Sequence, residues 1–380
     1  MSRSQSGFTP PALIYRDLRQ RYIRDPRLGH RLGRSFPNGV HVDETWGTPW
    51  LGTNANGFYG QEGAFDLSPK EGVIRILILG GSAAMGLGAT QRESVLANRL
   101  MKRLQDLVGS HVEVLNGAVG DYASSQSLLY FITELVEYKP NIVICLDGFN
   151  DFSHSSWGTK FANGDWLPNT TRSFDDSLSA VLSWDGSLDR RTTKEIERRW
   201  NPRVIRREGR HRKREGRHSA STHGALAMVW DEPSTWSFKG EAIQWYSENR
   251  LSLQGVCKSR GIQLLHAVQP SLLWAEGDPA TEEEAALLSL FDERLPMLSR
   301  LAPTYLTELA KESGSRLQAQ TIDSSVESIH QGELLLSGAY WLAGRSTDMY
   351  SDPIHYNDAG QDAIAVTLTQ LLSEGLGWVT

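Results

Sequence analysis

Four short apolar runs separated by helical patterns limit the folds that are open to this chain. The runs are rich in branched side chains, as strands buried on both faces of a sheet are: residues 74–79 (IRILIL), 112–115 (VEVL), 142–146 (IVICL) and 262–268 (IQLLHAV). Between them, apolar residues recur at helical spacing in residues 94–107 and 124–138. Strands that alternate with helices predict right-handed crossovers and a parallel sheet of the α/β class. A fifth strand is expected near residues 316–322, and a closing helix over residues 358–372.

The rest of the chain predicts one domain with additions. It has 380 residues, and no Gly/Ser or Pro tract divides it cleanly. We expect a loop-rich N-terminal extension over residues 1–70, because this part is rich in Gly, Pro, Asn and aromatic residues. The domain itself is expected over residues 71–380, with insertions at about 152–235 and 270–300.

The overall charge argues against a general affinity for nucleic acid or anionic lipid. The net charge is −6, so we expect no nucleic-acid partner. Residues 190–217 differ from the rest, because they contain thirteen Lys or Arg against four Glu. Such a run is more often a solvated segment than a binding surface, but it could hold an acidic glycan, a phosphorylated substrate or a membrane surface.

Neither the cysteines nor the N-terminal residues point to export. Cys145 stands in an apolar run and Cys257 in a predicted helix, so each is interpreted as a buried or bystander thiol rather than half of a disulfide. Residues 1–11 lack the apolar core of a secretory signal, and no run of about 18 apolar residues occurs. We therefore predict a cytoplasmic protein without a transmembrane segment, although a chain trimmed of an anchor would look the same. The oligomeric state stays open.

A glycine-rich turn, residues 80–86 (GGSAAMG), follows the first predicted strand. A P-loop would need Lys where Leu87 stands, so a phosphate-binding interpretation fails. A dinucleotide fingerprint would need a third glycine where Gln91 stands, which weakens that interpretation too. The third interpretation is a serine nucleophile, Ser82, whose hydroxyl is exposed at a strand-to-helix turn.

Two further polar blocks carry residue types that could serve Ser82. Ligands bind outside the carboxyl ends of parallel strands, and residues 147–151 (DGFND) follow the third predicted strand. On its own, Asn150 could simply cap a helix or shape a turn. Asp352 and His355 are three residues apart before the closing helix, so one loop can present both. A serine hydroxyl needs a base with a pKa near neutral, and the imidazole needs a carboxylate to fix its tautomer.

Taken in order, these blocks resemble the four blocks of SGNH (GDSL-like) hydrolases. The matching segments are residues 80–82 (GGS), 116–120 (NGAVG), 148–151 (GFND) and 352–355 (DPIH). The resemblance covers about residues 72–151 and 348–372, and residues 53–60 (TNANGFYG) are similar to a segment that precedes the first block in many bacterial members. It implies a three-layer, flavodoxin-like fold with a five-stranded parallel sheet and helices on both faces.

The resemblance also implies a role for each matched residue. Ser82 would be the nucleophile, His355 the general base and then acid, and Asp352 the carboxylate that orients His355. Asn150 would donate its side-chain amide to the oxyanion. Backbone N–H groups of Ser82 and of a glycine in the second block would complete the oxyanion hole.

Two positions depart from the family pattern. The first block usually reads Gly-Asp-Ser, whereas this chain has Gly81, which leaves the nucleophile in place but removes a carboxylate that would bond to nearby loops. In the second block, counting from Asn116 puts the expected glycine at Asp121, while the residue of the right type is Gly120. We assign the oxyanion N–H of this block to Gly120.

The activity implied is hydrolysis of an ester through an acyl-enzyme on Ser82, with no cofactor. The substrate is expected to be a small-molecule or carbohydrate ester, such as an O-acetyl or other short acyl group on a sugar or glycan. The sugar is suggested by the tryptophans, since eight of the twelve fall between Trp157 and Trp274 and could line a cleft. Two alternatives stay open: an acyltransferase with the same triad, and a non-catalytic flavodoxin-like binding module that contacts nucleic acid through residues 190–217.

The other histidines are interpreted as ordinary residues. They form no metal-ligand spacing such as HExxH, and with no cysteine cluster we expect no metal. His154 follows Asn150 by four residues and could contact substrate, but a solvated loop histidine is the simpler interpretation.

Overall fold

The fold is described from a computed structural model. The residues that it describes are 22–25, 28–35, 42–43, 48–156, 240–274, 281–294, 296–313, 338–339, 341–342 and 348–375. They belong to two compact units, which divide after Gly33. In the first unit, β1 (Tyr22–Asp25) and β2 (Gly29–Leu32) form an antiparallel pair, and the Asp25 carboxylate accepts the N–H of Leu28 between them. In the second unit, β3 (Val42–Asp43) and β4 (Thr48–Pro49) form another short antiparallel pair.

A parallel sheet forms the centre of the second unit. Its described strands are β5 (Ile74–Gly80), β6 (Val112–Asn116), β7 (Ile142–Asp147) and β8 (Gln263–Val268), in the spatial order β6-β5-β7-β8. This is the order with which flavodoxin-like sheets begin. The predicted α/β class is confirmed, and the first and last residues of each of these four strands agree with the prediction to within one residue. The expected fifth strand, at residues 316–322, lies outside the described residues.

Two groups of helices flank the sheet. In chain order the helices are α1 (Ser82–Met85), α2 (Leu96–Val108), α3 (Ser124–Thr133), α4 (Phe149–Ser156), α5 (Gly240–Ser259), α6 (Glu282–Arg294), α7 (Pro296–Ser313) and α8 (Asp358–Gly375). Helix α2 packs against β6 and against α8, whereas α3, α4 and α7 each pack against α5. The closing helix is therefore present as predicted, and it begins three residues after His355.

One predicted helix is broken in the structure. Residues 124–138 carry one helical pattern, but α3 ends at Thr133, because Glu134 leaves helical geometry with φ −139° and ψ −54°. A short 3-10 helix, Leu135–Tyr138, follows. The apolar side chains of this 3-10 helix face the core, where Leu135, Val136 and Tyr138 are buried. Burial of these side chains outweighs the local helical preference.

The segment before β5 covers β6, the edge strand of the described sheet. Gln61 bonds to the β6 backbone through both ends of its amide: it donates to the Val114 carbonyl at 2.7 Å and accepts the Asn116 N–H at 2.9 Å. Such contacts satisfy backbone groups that an open sheet edge would leave unpaired. The nearby aromatic side chains are also buried: Trp50, Phe58 and Tyr59. This part of the predicted extension thus contributes to the core.

The structure also bears on the predictions for the cysteines, a membrane span and the insertion at residues 270–300. Cys145 and Cys257 are buried free thiols, as predicted. Among the described helices, none is both long and apolar enough to cross a bilayer. The expected insertion at residues 270–300 contains α6 and the start of α7 in addition to the 3-10 helix Leu272–Trp274.

Candidate active site

The turn after β5 presents Ser82 at the carboxyl end of the sheet. Gly80 has φ +140°, and a Cβ on it would lie 2.0 Å from the carbonyl oxygen of Leu146 in the neighbouring strand. Only glycine allows this close approach. Two residues later, Ser82 begins α1 and is half-buried.

His355 lies between Ser82 and Asp352. Its Nε2 is 2.7 Å from the Oγ of Ser82, and its Nδ1 is 2.6 Å from Oδ2 of Asp352. The other carboxylate oxygen, Oδ1 of Asp352, accepts the backbone N–H groups of Ile354 at 2.8 Å and of His355 at 2.9 Å. Residues that are 273 positions apart in the chain are thus brought into one hydrogen-bonded series.

The ionisation of Asp352 fixes the tautomer of this histidine. Burial alone would raise the pKa of the Asp352 carboxyl, but the charge that His355 can carry and the hydrogen bonds lower the pKa below its usual value. An ionised carboxylate can only accept, so Nδ1 of a neutral His355 must carry the proton. Its Nε2 then carries no proton and can accept that of the Ser82 hydroxyl.

The loop that carries Asp352 and His355 is tied to the segment after β8. The Pro353 carbonyl accepts hydrogen bonds from the Ser271 hydroxyl at 2.9 Å and from the Leu272 N–H at 3.0 Å. Beyond His355, the buried Tyr356 hydroxyl donates to the Pro270 carbonyl at 3.0 Å. These three bonds limit the freedom of the loop on both sides of the histidine.

A second tie joins the nucleophile loop to helix α8. Thr90 donates its backbone N–H to the carboxylate of Asp358 at 2.9 Å, and its hydroxyl bonds to the same side chain. Gly88 approaches the same loop closely, since a Cβ there would lie 2.3 Å from the carbonyl oxygen of Tyr356. No local sequence pattern pairs Asp358 with a threonine so far away in the chain.

Asn150 is the second residue of α4, and its side-chain amide lies above Gly81. Its Nδ2 donates one hydrogen bond, to the Tyr122 carbonyl at 2.9 Å. A Cβ on Gly81 would lie 2.5 Å from this Nδ2 and 3.2 Å from the Tyr122 oxygen. The amide therefore occupies space that a side chain at position 81 would take. A side-chain amide has two N–H groups, so a second donor remains beyond the one bonded to Tyr122.

The second block forms a tight turn next to the nucleophile loop. Val119 donates its N–H to the Gly80 carbonyl at 3.1 Å, and the Tyr122 N–H closes the turn on the Val119 carbonyl at 3.2 Å. Asp121 has φ +69°, in the left-handed region that favours glycine, whereas Gly120 does not. The backbone conformation typical of glycine is thus at the counted position, Asp121, and not at Gly120.

Three further predictions concern His154, the basic residues 190–217 and the tryptophans. His154 lies on α4, but its side chain is outside the described part, as are residues 190–217. Trp274, one of the tryptophans expected to line a cleft, is instead 1% exposed. It packs against Phe149, Phe152 and Tyr305, so hydrophobic burial and not ligand binding accounts for its position.

A second group of ionisable side chains is buried in β7, β8 and α5. Oδ1 of Asp147 lies 2.9 Å from Nε2 of His266 and accepts the Tyr246 hydroxyl at 2.8 Å, while Oδ2 accepts the Cys145 thiol at 3.1 Å. None of the four residues is more than 4% exposed. Sequence reasoning missed this cluster, because its four members come from three elements and match no known motif.

Three of the residue types in this cluster, Cys, Asp and His, are those that bind zinc. In the structure, however, the Cys145 thiol and the Tyr246 hydroxyl donate hydrogen bonds to Asp147. Ligand atoms of Cys145, Asp147 and His266 lie within 4.8 Å of one another. Burial, and then the negative charge of Asp147, raises the pKa of the Cys145 thiol and of the Tyr246 hydroxyl well above their usual values. We interpret the cluster as a set of donors that stabilises the buried Asp147 carboxylate at the end of β7.

Comparisons with known proteins give only distant structural likeness. No protein-family model matches the chain, and no curated protein sequence matches it. Its structure is similar to a lipase/acylhydrolase from Enterococcus faecalis, with 11% identity over 80% of this chain and 96% of that one, and a TM-score of 0.39. It is also similar to a GDSL-like lipase from Bacteroides thetaiotaomicron, with 11% identity over 79% and 88% and a TM-score of 0.36. It is similar as well to the esterase EstA from Pseudoalteromonas sp., with 13% identity over 80% of this chain and 98% of that one, and a TM-score of 0.36. At this level of similarity, the chemistry of the site has to carry the functional assignment.

Proposed function

We propose that this protein is a serine hydrolase of the SGNH type that cleaves esters through an acyl-enzyme on Ser82. The observation that carries the proposal is the hydrogen-bonded series from Asp352 through His355 to the Ser82 hydroxyl. A serine hydroxyl is a weak nucleophile unless a base takes its proton, and a histidine whose tautomer is fixed by a carboxylate does this near neutral pH.

In the first half of the reaction, Oγ of Ser82 attacks the ester carbonyl carbon while its proton moves to Nε2 of His355. The developing imidazolium is stabilised by the Asp352 carboxylate, which stays ionised because its pKa is lowered. Collapse of the tetrahedral intermediate breaks the bond to the alcohol oxygen, which takes the proton from Nε2. The acyl group is then bonded to Ser82.

The negative charge on the carbonyl oxygen needs donors that are already in place. We assign this role to the second N–H of the Asn150 amide, the backbone N–H of Ser82 and one N–H of the second block. For the last, Gly120 is the residue predicted from its type, whereas Asp121, at the counted position, has the backbone conformation typical of glycine. Donors fixed before the reaction stabilise the transition state without further reorganisation.

In the second half, water attacks the acyl-enzyme, with His355 as base and then as acid toward Ser82. The substrate class we propose is a small-molecule or carbohydrate ester with a short acyl group. The sugar part of this proposal rests on the composition of residues 157–245, which are rich in tryptophan, since Trp274 is buried in the core. An alcohol acceptor in place of water would make the same site an acyltransferase.

We expect an alkyl fluorophosphonate to label the purified protein once, at Ser82, because this hydroxyl is hydrogen-bonded to the imidazole of His355. Peptide mapping by mass spectrometry identifies the labelled serine. In parallel, hydrolysis rates on acyl esters of increasing chain length, and on acetylated sugars, define the acyl and alcohol preference. We expect the acetyl esters to have the highest kcat/KM.

Two results would decide against this assignment. Labelling that persists in Ser82→Ala would exclude Ser82 as the nucleophile. Salt-sensitive nucleic-acid binding, together with no labelling and no hydrolysis, would favour the binding-module alternative. Product analysis with and without a sugar acceptor separates the two enzyme alternatives, since a transferase would form a new ester and a hydrolase would release free acid.

Asn150→Ala is expected to lower kcat by about 100- to 1000-fold with little change in KM, because an oxyanion donor acts mainly in the transition state. Asn150→Asp keeps the shape but replaces the donor with an acceptor, so it should lose at least as much. Steady-state kinetics on a short acyl ester measure both effects, and thermal unfolding checks that each variant is folded. A rise in KM at unchanged kcat would instead make Asn150 a substrate-binding residue.

A further inference from the structure

The two loops that carry the proposed oxyanion donors are not adjacent in the sheet. Residues 117–123 follow β6 and residues 148–150 follow β7, and β5 lies between these two strands. Neighbouring strands are about 4.8 Å apart, so the ends of β6 and β7 are separated by roughly 10 Å. Ladder hydrogen bonds tie each strand to β5, but they do not set the distance between the two loops. A direct connection between the loops is needed for that.

Asp151 makes such a connection to Ser124. Its carboxylate oxygens accept the Ser124 backbone N–H at 3.0 and 3.2 Å, and Oδ1 also accepts the Ser124 hydroxyl at 2.6 Å. Ser124 is the first residue of α3, so its N–H has no partner within that helix. Hydrogen bonds to an ionised acceptor are stronger than those between neutral groups. The connection joins the residue after Asn150 to the end of the second-block loop.

A third element, helix α5, holds Ser124 from the other side. Asn249 donates its side-chain amide to the Ser124 hydroxyl at 3.0 Å, and both residues are buried. Because an amide nitrogen can only donate, the hydroxyl proton of Ser124 must point toward Asp151. The series Asn249 to Ser124 to Asp151 therefore has one direction, and each bond polarises the next.

We propose that Asp151, Ser124 and Asn249 form a clamp that positions the oxyanion donors relative to each other. The proposal rests on the proposed function, and the three residues are positioning residues that need not touch substrate. The Asn150 amide bonds to Tyr122, two residues before Ser124, so the clamp and this bond are parallel connections between the same two loops. Loss of the clamp leaves Asn150 held by the single bond to Tyr122.

Asp151→Ala and Ser124→Ala test the clamp at two strengths. Asp151→Ala removes all three bonds to Ser124, and we expect kcat to fall about 10- to 100-fold at nearly constant KM, as small displacements of catalytic groups do. Ser124→Ala keeps its backbone N–H bonded to Asp151, so its loss should be smaller, about threefold to tenfold. If Asp151→Ala does not fold, Ser124→Ala still decides the question. Asp106→Ala, at an exposed carboxylate on α2, is the matched control and should behave as wild type.

A double-mutant cycle separates positioning from a general structural effect. In the Asn150→Ala background, the main donor set by the clamp is gone, so Asp151→Ala should cost at most about threefold more. If the same 10- to 100-fold loss appears in both backgrounds, the clamp does not act through Asn150 and the proposal is wrong. Normal kcat in both Asp151→Ala and Ser124→Ala would overturn it as well.

An NMR measurement makes the result independent of catalysis. The side-chain amide resonances of Asn150, assigned through their loss in Asn150→Asp, should shift and broaden in Asp151→Ala but not in Asp106→Ala. Unchanged resonances would overturn the clamp even in an active esterase. Shifted resonances in a protein without esterase activity would retain the clamp and overturn the proposed function instead.

Discussion

Ser82→Ala and His355→Ala are each expected to lower kcat for ester hydrolysis by on the order of 10⁵- to 10⁶-fold, and the double variant should lose little more. The hydroxyl and its base perform one step together, because Nε2 of His355 lies 2.7 Å from Oγ of Ser82. Once either group is absent the step is lost, so a second substitution should lower kcat little further. Stopped assays over long times, on the best ester from the substrate panel, measure these rates.

Exposed residues of the same types serve as controls for this loss. Ser68→Ala and His111→Ala lie away from the site on the surface and should keep wild-type kcat. Ser82→Cys is a useful further variant, since a thiolate at this position would keep a nucleophile next to His355. If His355→Ala retained near-normal hydrolysis with an unchanged pH profile, another base would have to serve Ser82, and His154 would be tested next.

Asp352→Asn is expected to lower kcat by on the order of 10³- to 10⁴-fold, because it imposes the wrong tautomer on His355. Oδ1 of Asp352 accepts two backbone N–H groups, so the asparagine oxygen should take that place and its NH₂ should face Nδ1 of His355. An NH₂ group only donates, which forces the imidazole proton onto Nε2. A protonated Nε2 cannot accept the proton of Ser82.

Asp352→Ala is the informative companion to this variant. It imposes no tautomer, so we expect its kcat to exceed that of Asp352→Asn. Its thermal stability should be lower, since the Ile354 and His355 N–H groups lose their acceptor. The reverse order of kcat would show that shape at position 352 matters more than the tautomer.

The pH dependence follows from the sign of the Asp352 shift. Its pKa lies below the usual value of a carboxyl group, so this residue stays ionised through the acidic limb of the kcat/KM profile. Protonation of the Asp352 carboxyl therefore does not contribute to the loss of activity until the pH falls below the usual carboxyl range. The stability that Asp352 contributes is present above its unfolded pKa, about 3.9, and is lost as pH falls through its lower folded value.

Local patterns were enough to predict the strands and the residues at their ends. The four apolar runs fixed the described strands, and parallel strands bring their carboxyl ends to one edge, where the structure places Ser82 and Asn150. The same reasoning placed Asp352 and His355 on one loop. The structure brings this pair to within hydrogen-bond distance of Ser82, while the catalytic roles stay predictions.

Contacts between distant parts of the chain could not be predicted in the same way. Asp151 and Asn249 meet Ser124 from different helices, and Cys145 meets His266 only through strand pairing. Such pairs leave no spacing motif in one sequence. The break in α3 at Glu134 was missed because core burial decided it rather than helical periodicity.

The contact between Gly81 and the Asn150 amide bears on how this sequence can change over time. Any side chain at position 81 would overlap Nδ2 of Asn150, which is 2.5 Å from the place of a Cβ. The nearer obstacle is the end of a side chain, so a substitution would displace the amide, and the backbone oxygen of Tyr122 at 3.2 Å limits the space further. We therefore expect positions 81 and 150 to be epistatic, since Asp at position 81 would require a different placement of the Asn150 amide.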